Sequence, residues 1–197
     1  MKDSDAETET DTVPEWSDPY LDRVSDRLLF NYDLEKDRSI SGERFDLYGK
    51  LDVHSQKQFF HPALSYGHHE MVEHLLARRV SSVTVADLES LVSLGHDLAD
   101  LWITPDDTHF STEFSFALLT DSISKEVREF VSEFSDRTLL KYGYHGHYEI
   151  NLLVVSSERE ECVASENADI ATAFVLWKDI EEAKPGFTVR LLRRLFG

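Results

Sequence analysis

Residues 141–155, KYGYHGHYEINLLVV, constrain the fold of this chain more than any other stretch. Their side chains alternate with a period of two, which is typical of a strand with one buried and one polar face. The apolar set is Tyr142, Tyr144, Gly146, Tyr148, Ile150 and Leu152, and the polar set is Gly143, His145, His147, Glu149 and Asn151. We therefore predict a long strand in which core residues and chemically useful residues share one segment.

Length and composition limit the classes of protein to which this chain can belong. A chain of 197 residues with 41% hydrophobic side chains can form one domain with a sizeable core. No apolar run approaches the roughly 20 residues of a membrane span, and the acidic N-terminus does not resemble a secretory signal. The lone Cys162 excludes an intrachain disulfide and a cysteine zinc site. These features predict a cytoplasmic protein.

The net charge of −18 is the strongest compositional feature, with 38 acidic against 20 basic side chains. Such a charge repels itself in dilute buffer, whereas molar salt shortens the Debye length to about 3 Å and removes most of the repulsion. The composition is typical of a salt-accumulating halophile, with an acidic mesophilic protein as the alternative. The same charge disfavours nucleic acid as a partner, since a phosphate backbone requires a cationic surface.

Three regions follow from the pattern along the chain. Residues 1–15 are acidic and almost without apolar side chains, so we predict a disordered tail. Residues 16–180 carry the helix and strand patterns of an α+β domain. Residues 187–197 are predicted to form a short basic amphipathic helix after a Pro-Gly break.

The C-terminal helix sets three arginines on one side. This pattern indicates docking onto the acidic body of the same chain, or contact with an acidic partner or with anionic lipid at a membrane surface. The three side chains are Arg190, Arg193 and Arg194.

Within the domain we predict about four strands in a mixed sheet, with helices packed on its apolar face. The strands are placed at 44–54, 58–66, 111–120 and 141–155, and residues 33–42 are assigned to a loop. Helices are predicted from Ser17, over 67–79, from Thr84, over 123–134 and over 156–177. The helix between the last two strands permits a parallel crossover.

If these strands pair as predicted, their polar residues form one ligand-binding or partner-binding face. That face is Asp46, Lys50, Asp52, His54, Glu113, His145, His147 and Glu149. His145 and His147 would lie about 7 Å apart at the backbone, close enough to share a divalent metal with Glu149. The alternatives are an inert solvated surface and an interface, either in a homodimer or with another protein.

The histidine-rich segment 67–74 invites comparison with zinc metalloproteases. The zincin motif needs His-Glu-x-x-His, but position 73 is glutamate, and the inverted motif His-x-x-Glu-His also fails, at Glu70. On a helix, neither face carries two histidines one turn apart. We interpret the segment as a polar helix face.

Several segments together resemble an uncharacterised family of small haloarchaeal proteins. They are DRLLFNYDLE, ERFDLYGKLDVHSQKQFFHPALSY, DLESLVSLGHDLADLWI, HFSTEFSF and RTLLKYGYHGHYEINLLVV, spanning roughly residues 16–177. The resemblance implies one domain of halophilic origin and transfers no site residues. We predict a non-catalytic binding or assembly domain, with a metal-dependent hydrolase using the polar sheet face as the alternative.

Overall fold

The computed structural model describes residues 14–56 and 68–178. The strand predicted over 58–66, nearly all of the acidic tail and the C-terminal helix with its three arginines lie outside the described residues.

One mixed sheet forms the centre of the described part, with helices on both sides. Its strands are β1 (Asp33–Ile40), β2 (Glu43–Gln56), β3 (His68–Arg79), β4 (His109–Leu119), β5 (Asp136–Leu139), β6 (His147–Ser156) and β7 (Glu161–Ala164). The helices are α1 (Pro19–Leu28), α2 (Val85–Trp102), α3 (Lys125–Glu133) and α4 (Ala171–Phe174). The strand order is β1-β2-β3-β4-β6-β5, and β7 also pairs with β6. The α+β class is confirmed, whereas about four strands understates the seven described.

The crossover predicted around residues 123–134 is confirmed. Strand β4 runs parallel to β6, and α3 lies between them in the chain. Strand β3 is also parallel to β4, with α2 as its crossover, while the remaining pairs are antiparallel. The carboxyl ends of the three central strands therefore point the same way.

Side-chain caps explain where the longer helices begin. Thr84 and Asp87 form a capping box at the start of α2, as their spacing predicts, and the Ser124 hydroxyl caps α3. At α1 the cap is Asp18 rather than Ser17, because the Asp18 carboxylate accepts hydrogen bonds from two backbone amides of the first turn. Gly95 lets α2 approach the sheet closely, since a Cβ there would lie 2.8 Å from Ile150 Cδ1.

Two predictions about β1 and β3 are wrong. Residues 67–79 form no helix where they are described; residues 68–79 are strand β3, which pairs with both β2 and β4. The apolar pairs Met71-Val72 and Leu75-Leu76 of β3 stand four residues apart, a spacing that also fits one face of a helix. Most of the predicted loop 33–42 is β1, an edge strand whose charged residues hide its pattern.

Two further predictions, near the end of the domain, are also wrong. The helix predicted over 156–177 is replaced by β7, connecting turns and the four-residue α4. Residues 141–146 are not strand, because Lys141 and Tyr142 adopt left-handed backbone angles and turn the chain. Tyr142 is 95% exposed and Tyr144 86% exposed, so neither belongs to the core as predicted.

Both faces of the sheet are packed, which makes two apolar clusters. On the α2 face, Leu88 and Leu98 of α2 pack with Phe116 and Ile150 of the strands. On the α1 face, Leu21, Val24 and Leu28 of α1 pack with Leu47, Leu75 and Leu153. The prediction of helices on a single apolar face is therefore incomplete, and all ten residues of β6 are buried.

Candidate functional site

Strand pairing divides the predicted polar face between the two sides of the sheet. Residues paired directly across neighbouring strands share a face. Lys50 pairs with His74, which pairs with Phe114 on the α2 face, and Asp52 lies two residues along on the same side. Glu113 pairs with Glu149 on the opposite, α1 face. His147 precedes Glu149 by two residues in β6 and therefore lies on the same face. The single face expected from the sequence is therefore wrong.

The other members of the predicted face lie apart from both groups. The Asp46 carboxylate accepts a hydrogen bond from the Arg79 backbone amide at 2.8 Å, and its carbonyl accepts one from Trp16 Nε1 at 2.7 Å. His145 sits in the turn before β6, with Nδ1 3.6 Å from Asp107 Oδ1. The backbone of His54 belongs to β2, and its side chain lies outside the described part.

The α1 face carries a row of three acids, of which the sequence pattern placed Glu113 and Glu149 on one face and missed Glu73. Glu73, Glu113 and Glu149 occupy paired positions on three adjacent strands, and we call them the acid row. Glu73 accepts hydrogen bonds from the Tyr32 hydroxyl and from Ser115 Oγ, the latter at 3.4 Å. Glu73 joins the row because residues 68–79 form strand β3, in which Glu73 pairs with Glu113.

Two members of the acid row, Glu73 and Glu149, are buried. Glu73 is buried, and desolvation raises the pKa of its carboxyl to about 7 despite the two hydrogen bonds, which act in the opposite direction. Glu149 is 1% exposed, with Oε1 3.5 Å from Arg137 Nη1 and 3.4 Å from His147 Nε2. Burial therefore favours the protonated form of Glu73, whereas Glu149 lies beside two basic side chains. No group of three or more His, Cys, Asp or Glu among the described residues has an arrangement that could hold a metal ion.

The α2 face contains a cleft of about 490 Å³ between strands β1 to β3 and the chain that follows α2. The side chains that matter for its chemistry are Arg38, Tyr48, Lys50, His74, Trp102 and His109. Of these, only Lys50 belonged to the predicted face. His74 was missed because it was assigned to a helix, and Arg38 because it was assigned to a loop.

Aromatic rings form one wall of the cleft. The His74 ring stacks on Phe114, with centroids 5.2 Å apart at 14°, and meets the Trp102 ring at 4.7 Å. His74 Nδ1 lies 2.8 Å from the Tyr48 hydroxyl. Burial lowers the pKa of His74 to about 4, and the positive charge of Lys50 adds to this effect. The imidazole is therefore neutral near neutral pH.

Two cationic side chains line the same cleft. The Arg38 guanidinium lies 4.0 Å from the centroid of the Tyr48 ring, and its Nη1 is 2.7 Å from Glu35 Oε1. Lys50 Nζ is 2.9 Å from Asp52 Oδ2. Both side chains are about one-third exposed or more, so they can pair with a solute while keeping their own acidic neighbours.

The far side of the cleft is fixed by hydrogen bonds to backbone groups. His109 Nδ1 donates to the His145 carbonyl at 2.7 Å, so its Nε2 accepts from the Thr112 hydroxyl at 2.9 Å. Gly146 packs against Phe110, whose carbonyl oxygen would lie 2.1 Å from any Cβ added there. This close contact admits only glycine and holds the turn before β6 against the start of β4.

Comparison with known proteins identifies the family and leaves the chemistry open. No curated protein and no solved structure matches the chain. None of the helices within the described residues is long and apolar enough to cross a membrane. The family described as a domain of unknown function (DUF8052) matches residues 17–176, and the chain belongs to it.

Proposed function

We propose that this domain binds a small molecule in the cleft on the α2 face and does not transform it. The observation that carries the proposal is a cleft in which aromatic rings, two cations and a neutral imidazole converge. Its volume of about 490 Å³ falls within the roughly 300–1,000 Å³ of small-molecule sites, which combine apolar walls with a few placed polar groups. The proposal narrows the predicted binding or assembly role to binding.

A metal-dependent hydrolase built on His145, His147 and Glu149 has less support. His145 belongs to a turn and faces Asp107, whereas His147 lies on the strand beside Glu149. Arg137 is close to the same Glu149 carboxylate, and its positive charge opposes a divalent cation there. The arrangement favours an ion-paired packing role for these side chains.

Tryptophan fluorescence provides the test, because the tryptophans lie in different surroundings. Trp102 lines the cleft, whereas Trp177 packs against the cluster on the α1 face. We expect some members of a library of small organic acids, amides and amines to change the emission saturably in the wild type. The change should persist in Trp177→Phe, the matched control, and disappear in Trp102→Phe.

Two results would contradict the proposal. One is a saturable change that survives in Trp102→Phe and not in Trp177→Phe; the other is no saturable change with any library member. Light scattering on the same samples tests assembly instead, for which the exposed Tyr142 and Tyr144 offer a contact surface. A stable dimer that dissociates on Tyr142→Ser would favour the assembly role.

We further propose that the domain works in the cytoplasm of a salt-accumulating haloarchaeon. The net charge of −18 supports this setting, since self-repulsion is relieved when salt screens it. The melting temperature should rise steeply between dilute buffer and molar KCl. A flat melting temperature over that range would contradict the proposal.

A further inference from the structure

We infer that the ligand of the cleft carries an oxyanion, such as a carboxylate, on a planar apolar ring. This inference rests on the proposed function and names the chemistry of its ligand. The inference follows from two N–H donors on the aromatic wall, on His74 and Trp102, that have no hydrogen-bond partner among the described residues.

The proton on His74 can be placed from its neighbours. A neutral imidazole has one N–H donor and one acceptor nitrogen, and the bond made by one nitrogen decides the role of the other. Tyr48 is the partner of Nδ1, at 2.8 Å. Burial raises the pKa of the Tyr48 hydroxyl to about 12, and the charge of Arg38 over the ring acts in the opposite direction. A phenol O–H is nevertheless a stronger acid, and so a better donor, than the N–H of a neutral imidazole. Tyr48 therefore donates to Nδ1, and the proton of His74 resides on Nε2.

Two donors then remain for a ligand. His74 Nε2 has no hydrogen-bond partner in the part of the chain that the structure describes, although the ring lines the cleft. The same holds for Trp102 Nε1, which can only donate. Both nitrogens belong to rings that line the cleft with their centroids 4.7 Å apart, and we infer that one acceptor group contacts both.

Two cations lie close to these donors, and each is also paired with an exposed acid: Lys50 with Asp52 at 2.9 Å and Arg38 with Glu35 at 2.7 Å. Lys50 pairs directly with His74 across β2 and β3, and Arg38 lies over Tyr48. The acids that line the cleft, Glu70 and Asp106, are exposed, and Asp106 Oδ1 already accepts from the backbone amides of Thr108 and His109. An oxyanion beside the wall can therefore accept from the two N–H donors and from the ammonium of Lys50 or the guanidinium of Arg38, and such charge-assisted bonds are stronger than neutral ones.

The aromatic wall of the cleft also favours a planar ring as the part of the ligand that carries the oxyanion. The rings of Tyr48, His74 and Trp102 present apolar surface next to the two donors, with Tyr48 and Trp102 edge to face at 6.5 Å. Offset or edge contacts between such rings and a planar ring are favourable. A ring bearing a carboxylate satisfies both the wall and the donors.

The probes are benzoate and benzamidine, which share a ring and differ in charge, and inorganic phosphate, which lacks the ring. Nitrogen-15 spectra of the full chain report the ring nitrogens of His74 and the indole N–H of Trp102. We expect the free protein to show His74 with its proton on Nε2. Benzoate should shift both signals and bind at least tenfold more tightly than benzamidine, with phosphate much weaker than benzoate.

Matched lysine variants separate local from general charge effects. Lys50→Gln should weaken benzoate binding about five- to tenfold, whereas Lys125→Gln on α3, paired with Glu129, should leave it unchanged. An equal loss of benzoate affinity in both variants would overturn the inference, because it would show that the affinity depends on the net charge of the protein and not on Lys50.

The remaining outcomes distinguish the inference from the proposed function. Benzamidine binding as tightly as benzoate, or a His74 proton on Nδ1, overturns the oxyanion inference while the small-molecule site stands. Phosphate binding as tightly as benzoate overturns the ring requirement. No shift of the His74 and Trp102 signals with any probe, together with an unresponsive library, overturns both.

Discussion

Glu73 and His74 are neighbours in β3, yet they face opposite sides of the sheet and meet different environments. Both side chains are buried, and burial disfavours the charged form of each. The pKa of Glu73 rises to about 7, while that of His74 falls to about 4, because one group is charged when it loses a proton and the other when it gains one. The pKa values of these adjacent residues thus shift in opposite directions, and both shifts favour the neutral form.

The two faces differ in the number of hydrogen-bond partners that they offer to Glu73 and to His74. On the α1 face, Tyr32 and Ser115 supply hydrogen bonds to Glu73, and Arg137 lies beside Glu149. On the α2 face, Tyr48 occupies only one nitrogen of His74. Buried acids with polar and basic neighbours contribute to packing, whereas an imidazole with one nitrogen left for a ligand on the wall of a cleft can recognise a solute.

The largest expected loss of stability tests whether both faces of the sheet are tightly packed. Ile150 and Leu153 lie on the same strand, face the α2 side and the α1 side respectively, and are each 1% exposed. Ile150→Ala and Leu153→Ala should each lower the free energy of unfolding by about 2–5 kcal/mol in urea denaturation. Leu139→Ala, at a 59% exposed position, is the control and should change it by less than about 0.5 kcal/mol. A small cost at Leu153 alone would show that the α1 face is poorly packed.

This pair also shows what the sequence could predict. Local signals were sufficient for α2 and α3, whose caps and apolar stripes are read from neighbouring residues. The inward position of Ile150 followed from alternation along β6. The burial of the polar set on the same strand did not, because it depends on α1 and the α4 segment, which cover that face from distant parts of the chain.

The candidate site was harder to predict than the fold. Lys50 was identified, but its partners His74, Trp102 and His109 come from three separate segments that only the sheet and α2 bring together. Treating β3 as a helix placed Glu73 and His74 on adjacent faces of one surface instead of on opposite sides of a sheet. Period-two and period-3.6 patterns are difficult to separate in a strand with two buried faces.

The next effect concerns the ion pair on the α1 face. Arg137→Met removes a guanidinium beside the buried Glu149 carboxylate, and we expect a loss of about 1–3 kcal/mol of stability. Glu149→Gln in the same background should restore part of that loss, because a neutral amide tolerates burial better than an unpaired charge. A double-mutant cycle measured by urea denaturation gives the coupling. Additive effects of the two changes would indicate that the pair does not interact.

Opposite pH dependences provide the third test. The folded protein keeps the Glu73 proton up to its pKa of about 7, whereas the unfolded chain loses it near 4.5, so stability falls as pH rises through this window. For His74 the unfolded chain gains a proton near 6.5 and the folded protein only near its pKa of about 4, so stability rises with pH through that window.

Variants at the two positions should separate these slopes. Glu73→Gln should leave a profile that rises between about pH 4 and 6.5, and His74→Phe one that falls between about pH 4.5 and 7. Each removed contribution is on the order of 1–3 kcal/mol across its window. Urea midpoints measured at fixed ionic strength provide the check. Parallel profiles for the two variants would contradict opposite environments.

The smallest effect is expected at the turn before β6. Tyr142→Ser and Tyr144→Ser should each change the free energy of unfolding by less than about 0.5 kcal/mol, because both rings are almost fully exposed. Gly146→Ala in the same turn is the contrasting change and should destabilise clearly, since its Cβ would clash with the Phe110 carbonyl. A large loss at either tyrosine, measured by thermal melting, would show that the turn packs more closely than described.

An NMR titration of Glu73 and His74 in one sample tests the central claim most directly. With the side-chain carboxyl of glutamate and the imidazole of histidine isotopically labelled, each resonance reports its own protonation. We expect Glu73 to titrate with an apparent pKa of about 7 and His74 with one of about 4. Ordinary values, near 4.5 for Glu73 and 6.5 for His74, would contradict the claim that these neighbours are buried on opposite faces of one sheet.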